Sequence, residues 1–158
     1  MLTQKLRTLG IELPALPGPF GTYVPAKEVS GPSGGLLFVS GQLPMCAGKL
    51  LAEGPVPSSC SIDAAREAAR QCVINALAAV ATIGPDAVDR IVGVVRVGCF
   101  VQSDHGFAQQ PQVANAASEL LIELLGDAGR HARAAVGTNA LPLNASVEIE
   151  FIFQMQTA

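Results

Sequence analysis

The segment RIVGVVRVGCFV, residues 90–101, constrains the fold more than any other stretch of the chain. It is rich in β-branched residues and bounded by turn signals, so it predicts a strand. In an unbroken strand, successive side chains face opposite sides. Ile91, Val95, Val97 and Cys99 then share one face, and Val92, Val94 and Phe100 share the other. Both faces are apolar, and a sheet with two apolar faces needs cover on each. Helices elsewhere in the chain can cover one. With no third layer in the sequence, a subunit interface is the natural cover for the second, which predicts an oligomer. Arg96 is the only charge inside this apolar run. It must find a partner or reach water, because an unpaired buried charge is strongly destabilising.

The remaining elements fall around this strand. Residues 2–9 predict a short helix closed by Gly10, with Leu2, Leu6 and Leu9 on one side. LPALPGPFG follows as an extended surface connector. TYVPAKEV (22–29) and GLLFVSGQLP (35–44) predict two strands joined by the turn SGPSGG, and GKLLAEG a third, shorter one. Ser61 is placed to cap a helix over 62–82, with Asp63 in its first turn and Gly84-Pro85 ending it. Its apolar stripe is Ala65, Ala68, Cys72, Ala76, Leu77 and Val80, with Arg66, Glu67, Arg70, Gln71 and Asn75 mainly off it. A second helix is predicted over 109–125, ended by Gly126. RAAVGT and SVEIEFIFQM predict two last strands joined through NALPLN. The order β-β-(β)-α-β-α-β-β suits an α+β fold, two helices packed on one face of a single mixed sheet, in one domain over 1–158.

Charged residues make up only 15% of the chain against 49% hydrophobic, which again favours apolar surface buried between subunits. A net charge of -3 argues against a general nucleic-acid partner, which would need a basic face. Cys46, Cys60, Cys72 and Cys99 form no C-x-x-C pair and read as reduced, mostly buried thiols, neither a disulfide framework nor a zinc site. The N-terminus has no secretory signal pattern, and no apolar run reaches membrane length. The expectation is a soluble cytoplasmic protein with no membrane partner.

No dinucleotide-binding, Walker or H-E-x-x-H motif is present, and His105 and His131 stand without the neighbours a metal site needs. Ser40, in VSGQLP, lacks the context of a hydrolase nucleophile and reads as a strand-end hydroxyl bonded to local backbone. Arg133 follows Arg130 and His131 in GRHARAAVGT and shares a face with Ala135 and Gly137, opposite Ala134, Val136 and Thr138. A guanidinium beside such small residues could clamp a carboxylate with both prongs. It could equally be a strand-start arginine reaching solvent, and the residues alone leave both open. Glu148 and Glu150 share a face of the last strand, where acidic pairs are ordinarily solvated.

Taken in order, GTYVPA, LFVSGQLP, ANAASELL, HARAAV and LPLNASVEIEFI resemble the signature segments of the RidA/YjgF family, also known as the endoribonuclease L-PSP family. The resemblance runs over about residues 20–153, leaving 1–19 as an N-terminal extension. It implies a chorismate-mutase-like fold assembled as a homotrimer, with the free sheet face buried and clefts between subunits. It implies hydrolysis of reactive 2-imino and enamino acids to 2-oxo acids and ammonia, with no metal and no cofactor. By the same resemblance Arg133 holds the carboxylate of a small metabolite, Glu148 positions water, and Tyr23, Ser40 and Asn115 line the pocket. The chain departs from the best-studied branch at Thr22, where that branch has Pro, and at Ala135, where it often has Cys. SGPSGG and GDAGRH also mark it as a longer branch. Two other functions compete: a non-catalytic carboxylate-binding module that keeps Arg133, and an endoribonuclease, which the acidic balance disfavours. In the implied fold the strand of Arg96 lies antiparallel to the last one, so Arg96 is expected to pair with Glu150 or Glu148.

Overall fold

The structure is a computed structural model, and residues 1–16 and 22–157 are described. The end of the predicted connector, residues 17–21, lies outside them. In chain order the elements are α1 (Leu2–Thr8), β1 (Ala26–Gly31), β2 (Gly34–Gln42), β3 (Met45–Cys46), β4 (Lys49–Leu50), α2 (Ile62–Ala81), β5 (Ile91–Gln102), α3 (Gln110–Leu125), β6 (Ala132–Thr138) and β7 (Val147–Met155). The main sheet runs β1-β2-β7-β5-β6. Among the described strands of this sheet only β5 and β6 run parallel, and α3 is the crossover between them. The sheet is mixed and the fold α+β, with α2 over β2 and β7 and α3 over β5 and β6.

Local chemistry sets the helix boundaries. Ser61 Oγ accepts from the Ala64 amide at 3.1 Å, capping α2 as expected. Gly126 ends α3 at a positive φ of 63°, a backbone conformation that favours glycine. The buried face of α2 is broader than the predicted stripe, because the helix packs against α3 as well as the sheet. Asn75 belongs to that buried face, a correction to its expected place off the stripe. Its side-chain amide donates to the carbonyls of Leu43 and Met45 at 2.8 and 3.0 Å, so a polar group is stable there.

Two further expectations are corrected and a third, the short strand in GKLLAEG, is narrowed. The first strand begins at Ala26, not Thr22, because the chain bends through Thr22–Pro25 before pairing. The segment GKLLAEG contributes only Lys49–Leu50, which pairs with Met45–Cys46 in a separate ribbon and leaves Cys46 exposed. In β5, Val94 is buried and Val95 exposed, the reverse of simple alternation. The cause lies in the register with β7: Ile91 and Gly93 face Met155 and Gln154, and Val94 and Arg96 face Phe153 and Ile152. One extra residue enters at each step, so two bulges carry Ile91, Val94 and Val97 onto the same face.

The core lies between the sheet and the helices, around Phe151, Phe153, Leu37, Leu77, Leu120 and Leu121. The opposite sheet face is open and carries Val29, Leu36, Phe38, Val92, Val95 and Val136, all exposed large apolar side chains.

Candidate functional site

Strand parity sends the two candidate groups to opposite sides of the sheet. Arg133 is in register with Val97, a core residue under the helices, so its side chain rises on the helix side at the β6 edge. There Nη1 donates to Asn115 Oδ1 and to Ser118 Oγ, each at 3.0 Å, both on α3. Arg66, Arg90, Arg96 and Arg130 each pair with a carboxylate, whereas among the described residues Arg133 is held only by neutral oxygens. Its Nε and Nη2 make no hydrogen bond among the described residues. An oriented guanidinium with a free edge is suited to accept a carboxylate.

Behind Arg133, Ser118 Oγ meets His131 Nε2 at 3.0 Å, and His131 Nδ1 meets the Gly129 carbonyl at 2.6 Å. Burial pushes the His131 pKa below its ordinary value; the Gly129 bond opposes this and Arg133 adds to it. Cys99 is in register with Ala135, but it is buried and its pKa is pushed up to about 12 by that burial. A thiol held neutral in this way is not a nucleophile.

Glu148 and Glu150 alternate with Val147, Ile149 and Phe151, which are core, so both acids emerge on the open face. Arg96 Nη1 donates to Glu150 Oε1 at 2.9 Å, which settles the expected pairing in favour of Glu150. Both side chains of that pair are nearly half exposed, so its contribution to stability is small. Glu148 makes no ion pair among the described residues. Burial, with Glu150 adding its negative charge, raises its pKa above the ordinary carboxylate value. Two glycines make room for these acids. A Cβ at Gly98 would stand 2.7 Å from Glu150 Oε1, and one at Gly41 would overlap Glu148 Oε1.

Tyr23 and Ser40 line an open hollow of about 700 Å³ on this face, with Lys27, Phe38, Arg96 and Glu150. Ser40 Oγ donates to a backbone carbonyl as its sequence context predicts, but the acceptor, Val24 at 2.8 Å, lies 16 residues earlier and so is not local. Within one chain, then, Asn115 meets Arg133, while Tyr23 and Ser40 line one hollow, and Glu148 stands on the face of that hollow. The sequence reading missed Ser118, Gly41 and Gly98, and it noticed His131 beside Arg133 without giving it a role. Ser118 falls three residues after Asn115, one helical turn on the same face, which is the signal that could have found it.

The sequence profile of the family described as "YjgF/chorismate_mutase-like, putative endoribonuclease" matches residues 3–155. Protein TCP17 of Trypanosoma cruzi is 37% identical over 151 residues, 95% of this chain and 91% of that protein. A crystal structure of a protein of unknown function from Agrobacterium tumefaciens superposes with a TM-score of 0.86 at 41% identity, over 98% of this chain and 92% of that one. E. coli TdcF with bound serine shares the fold, with a TM-score of 0.61 at 23% identity over 91% of this chain and 94% of that one.

Proposed function

The chain belongs to the YjgF/chorismate mutase-like family, and on that premise we propose that it hydrolyses reactive 2-imino and enamino acids to 2-oxo acids and ammonia. The reaction takes place in a cleft between subunits of a homotrimer of single-domain chains. Arg133 of one subunit faces the open-sheet group of its neighbour, Glu148 with Tyr23 and Ser40. The observation that carries this reading is the state of Arg133: oriented by Asn115 and Ser118, with no acid partner among the described residues and one edge free.

The substrate is an iminium whose C2 is already electrophilic, so orientation supplies much of the catalysis. Arg133 takes the carboxylate in a two-pronged bond. Glu148, ionised, accepts a proton from water as the oxygen bonds to C2, giving a carbinolamine. Glu148 returns that proton to the nitrogen and the C–N bond breaks. The hydroxyl proton leaves with ammonia as ammonium, and the 2-oxo acid remains. The raised pKa of Glu148 brings it nearer to the operating pH of a general base. TdcF with bound serine is an instance of this fold accommodating a small amino acid.

RNA cleavage, named in the family description, fits the chain less well, since a net charge of -3 gives a polyanion no long-range attraction. The deaminase reading is tested by generating 2-imino acids of several side-chain sizes with an amino-acid oxidase and following their decay. Decay accelerated by the protein supports it. Unaltered decay across the series, with carboxylate binding retained, leaves the non-catalytic binding module.

A further inference from the structure

With the imidazole neutral, a single arrangement of protons satisfies the contacts behind Arg133. The Gly129 carbonyl can only accept, so His131 Nδ1 carries the imidazole hydrogen. In the neutral ring Nε2 is then an acceptor, and the Ser118 hydroxyl donates to it. That leaves the Ser118 lone pairs directed at Arg133 Nη1, alongside Asn115 Oδ1. The backbone of the turn before β6 is thereby tied, through an imidazole and a hydroxyl, to an exposed guanidinium. Arginine side chains at a surface are ordinarily mobile, and this one has two fixed acceptors.

We propose that His131 and Ser118 are positioning residues for Arg133, a relay that fixes the guanidinium for carboxylate binding and releases it when the imidazole takes up a proton. Protonation turns Nε2 into a donor, contests the serine lone pairs, and sets a second cation behind the same hydroxyl. The other charges near the imidazole do not offset this. On β6 it faces Arg133, which repels it. On α3, Glu119 beside Ser118 is held by Arg66 at 3.0 Å. In the preceding turn, Asp127 is exposed and paired with Arg130 at 3.2 Å. On β5, Arg96, in register with Ala132, pairs with Glu150 on the opposite face. Burial of the imidazole favours its neutral form, so the relay is intact near neutrality and opens on acidification.

The proposal rests on Arg133 being a carboxylate anchor, and the experiment separates the two ideas. Nitrogen-15 NMR of the full-length protein reports the His131 tautomer and the ordering of the Arg133 side chain without any ligand. The relay predicts a neutral Nδ1–H ring at about pH 7.5 and an ordered Arg133 signal that is lost in Ser118→Ala and in His131→Ala. It predicts partial recovery in His131→Gln, whose amide oxygen can accept from Ser118. Binding of 2-oxobutyrate, a stable 2-oxo acid, should weaken roughly ten-fold in the alanine variants. In the native protein it should weaken as His131 protonates, and in His131→Gln that acid loss should vanish. An Nε2–H ring, or an Arg133 signal unchanged in Ser118→Ala, overturns the relay. Should His131→Ala not fold, Ser118→Ala and His131→Gln decide the matter. Loss of Arg133 order in the variants of a native protein that binds no 2-oxobutyrate upholds the relay and overturns the anchor.

Discussion

Gly41 lies beneath the carboxylate of Glu148, so close that a Cβ at position 41 would overlap Oε1. The opposing atom is the end of a flexible side chain, so Gly41→Ala is expected to fold with little loss of stability while moving the carboxylate. A displacement of about 1 Å at a catalytic group is worth on the order of a hundred-fold in rate. Turnover of an accepted imino acid should therefore fall about that far in Gly41→Ala, with the melting temperature nearly unchanged. Normal kcat in a folded Gly41→Ala removes Glu148 from the reaction.

Glu148→Gln separates stability from function at one position. Glu148 holds its proton above its ordinary pKa of 4.5 because it is half-buried beside Glu150. Between the ordinary and the raised value the folded chain binds more protons than the unfolded one, so this group's contribution to stability falls as pH rises through that window. At neutral pH the ionised group is a net cost. The glutamine variant should melt at the native temperature or above it near neutrality, yet show no accelerated imine decay. A lower melting temperature near neutrality contradicts the burial argument.

Glu150→Gln should shift the pH dependence of the reaction. The charge of Glu150 helps raise the pKa of Glu148, and Arg96 loses its partner when Glu150 is replaced. Both changes favour the ionised form of Glu148. The acid limb of kcat/KM, which follows ionisation of the base, should move to lower pH in the variant. Measured in a His131→Gln background, where the imidazole no longer titrates, an acid limb that stays in place, or moves up, means Glu148 is not the base.

The open face of the sheet predicts the assembly. Phe38 is 43% and Val95 42% exposed in the single chain, amid other apolar residues. Light scattering of the native protein should give three times 16.2 kDa. Val95→Asp, at a position that is solvent-accessible in the chain, should leave the fold intact and dissociate the trimer. A native monomer at micromolar concentration contradicts the covered face.

Much of this was legible in the residues, for identifiable reasons. The cap at Ser61 and the stop at Gly126 are local chemistry, so they could be read directly. A partner for Arg96 on Glu150 or Glu148 was expected from a lone charge in an apolar strand and from the acidic strand that the resemblance places beside it, and the structure selects Glu150. The bulges in β5 were not legible, because an extra residue is defined only against its partner strand. The swap of Val94 and Val95 came with them. Asn75 looked polar and peripheral because its acceptors, Leu43 and Met45, lie about 30 residues earlier in the chain. His131 stood out beside Arg133 but its role was not legible, because its partner Ser118 approaches only when α3 folds over β6. The resemblance placed five site residues in one pocket, and parity within one chain divides them between two faces.

The central claim is that Arg133 holds the substrate carboxylate. It is tested most directly by measuring the rate of 2-iminobutanoate hydrolysis by the native protein, Arg133→Ala and Arg133→Lys under one condition, with a check that all three share the native mass and fold. The anchor reading predicts accelerated hydrolysis by the native protein, none above the spontaneous rate for Arg133→Ala, and a strongly reduced rate for Arg133→Lys, since an ammonium cannot reproduce the two-pronged bond. Hydrolysis at the native rate by a folded Arg133→Ala would contradict it.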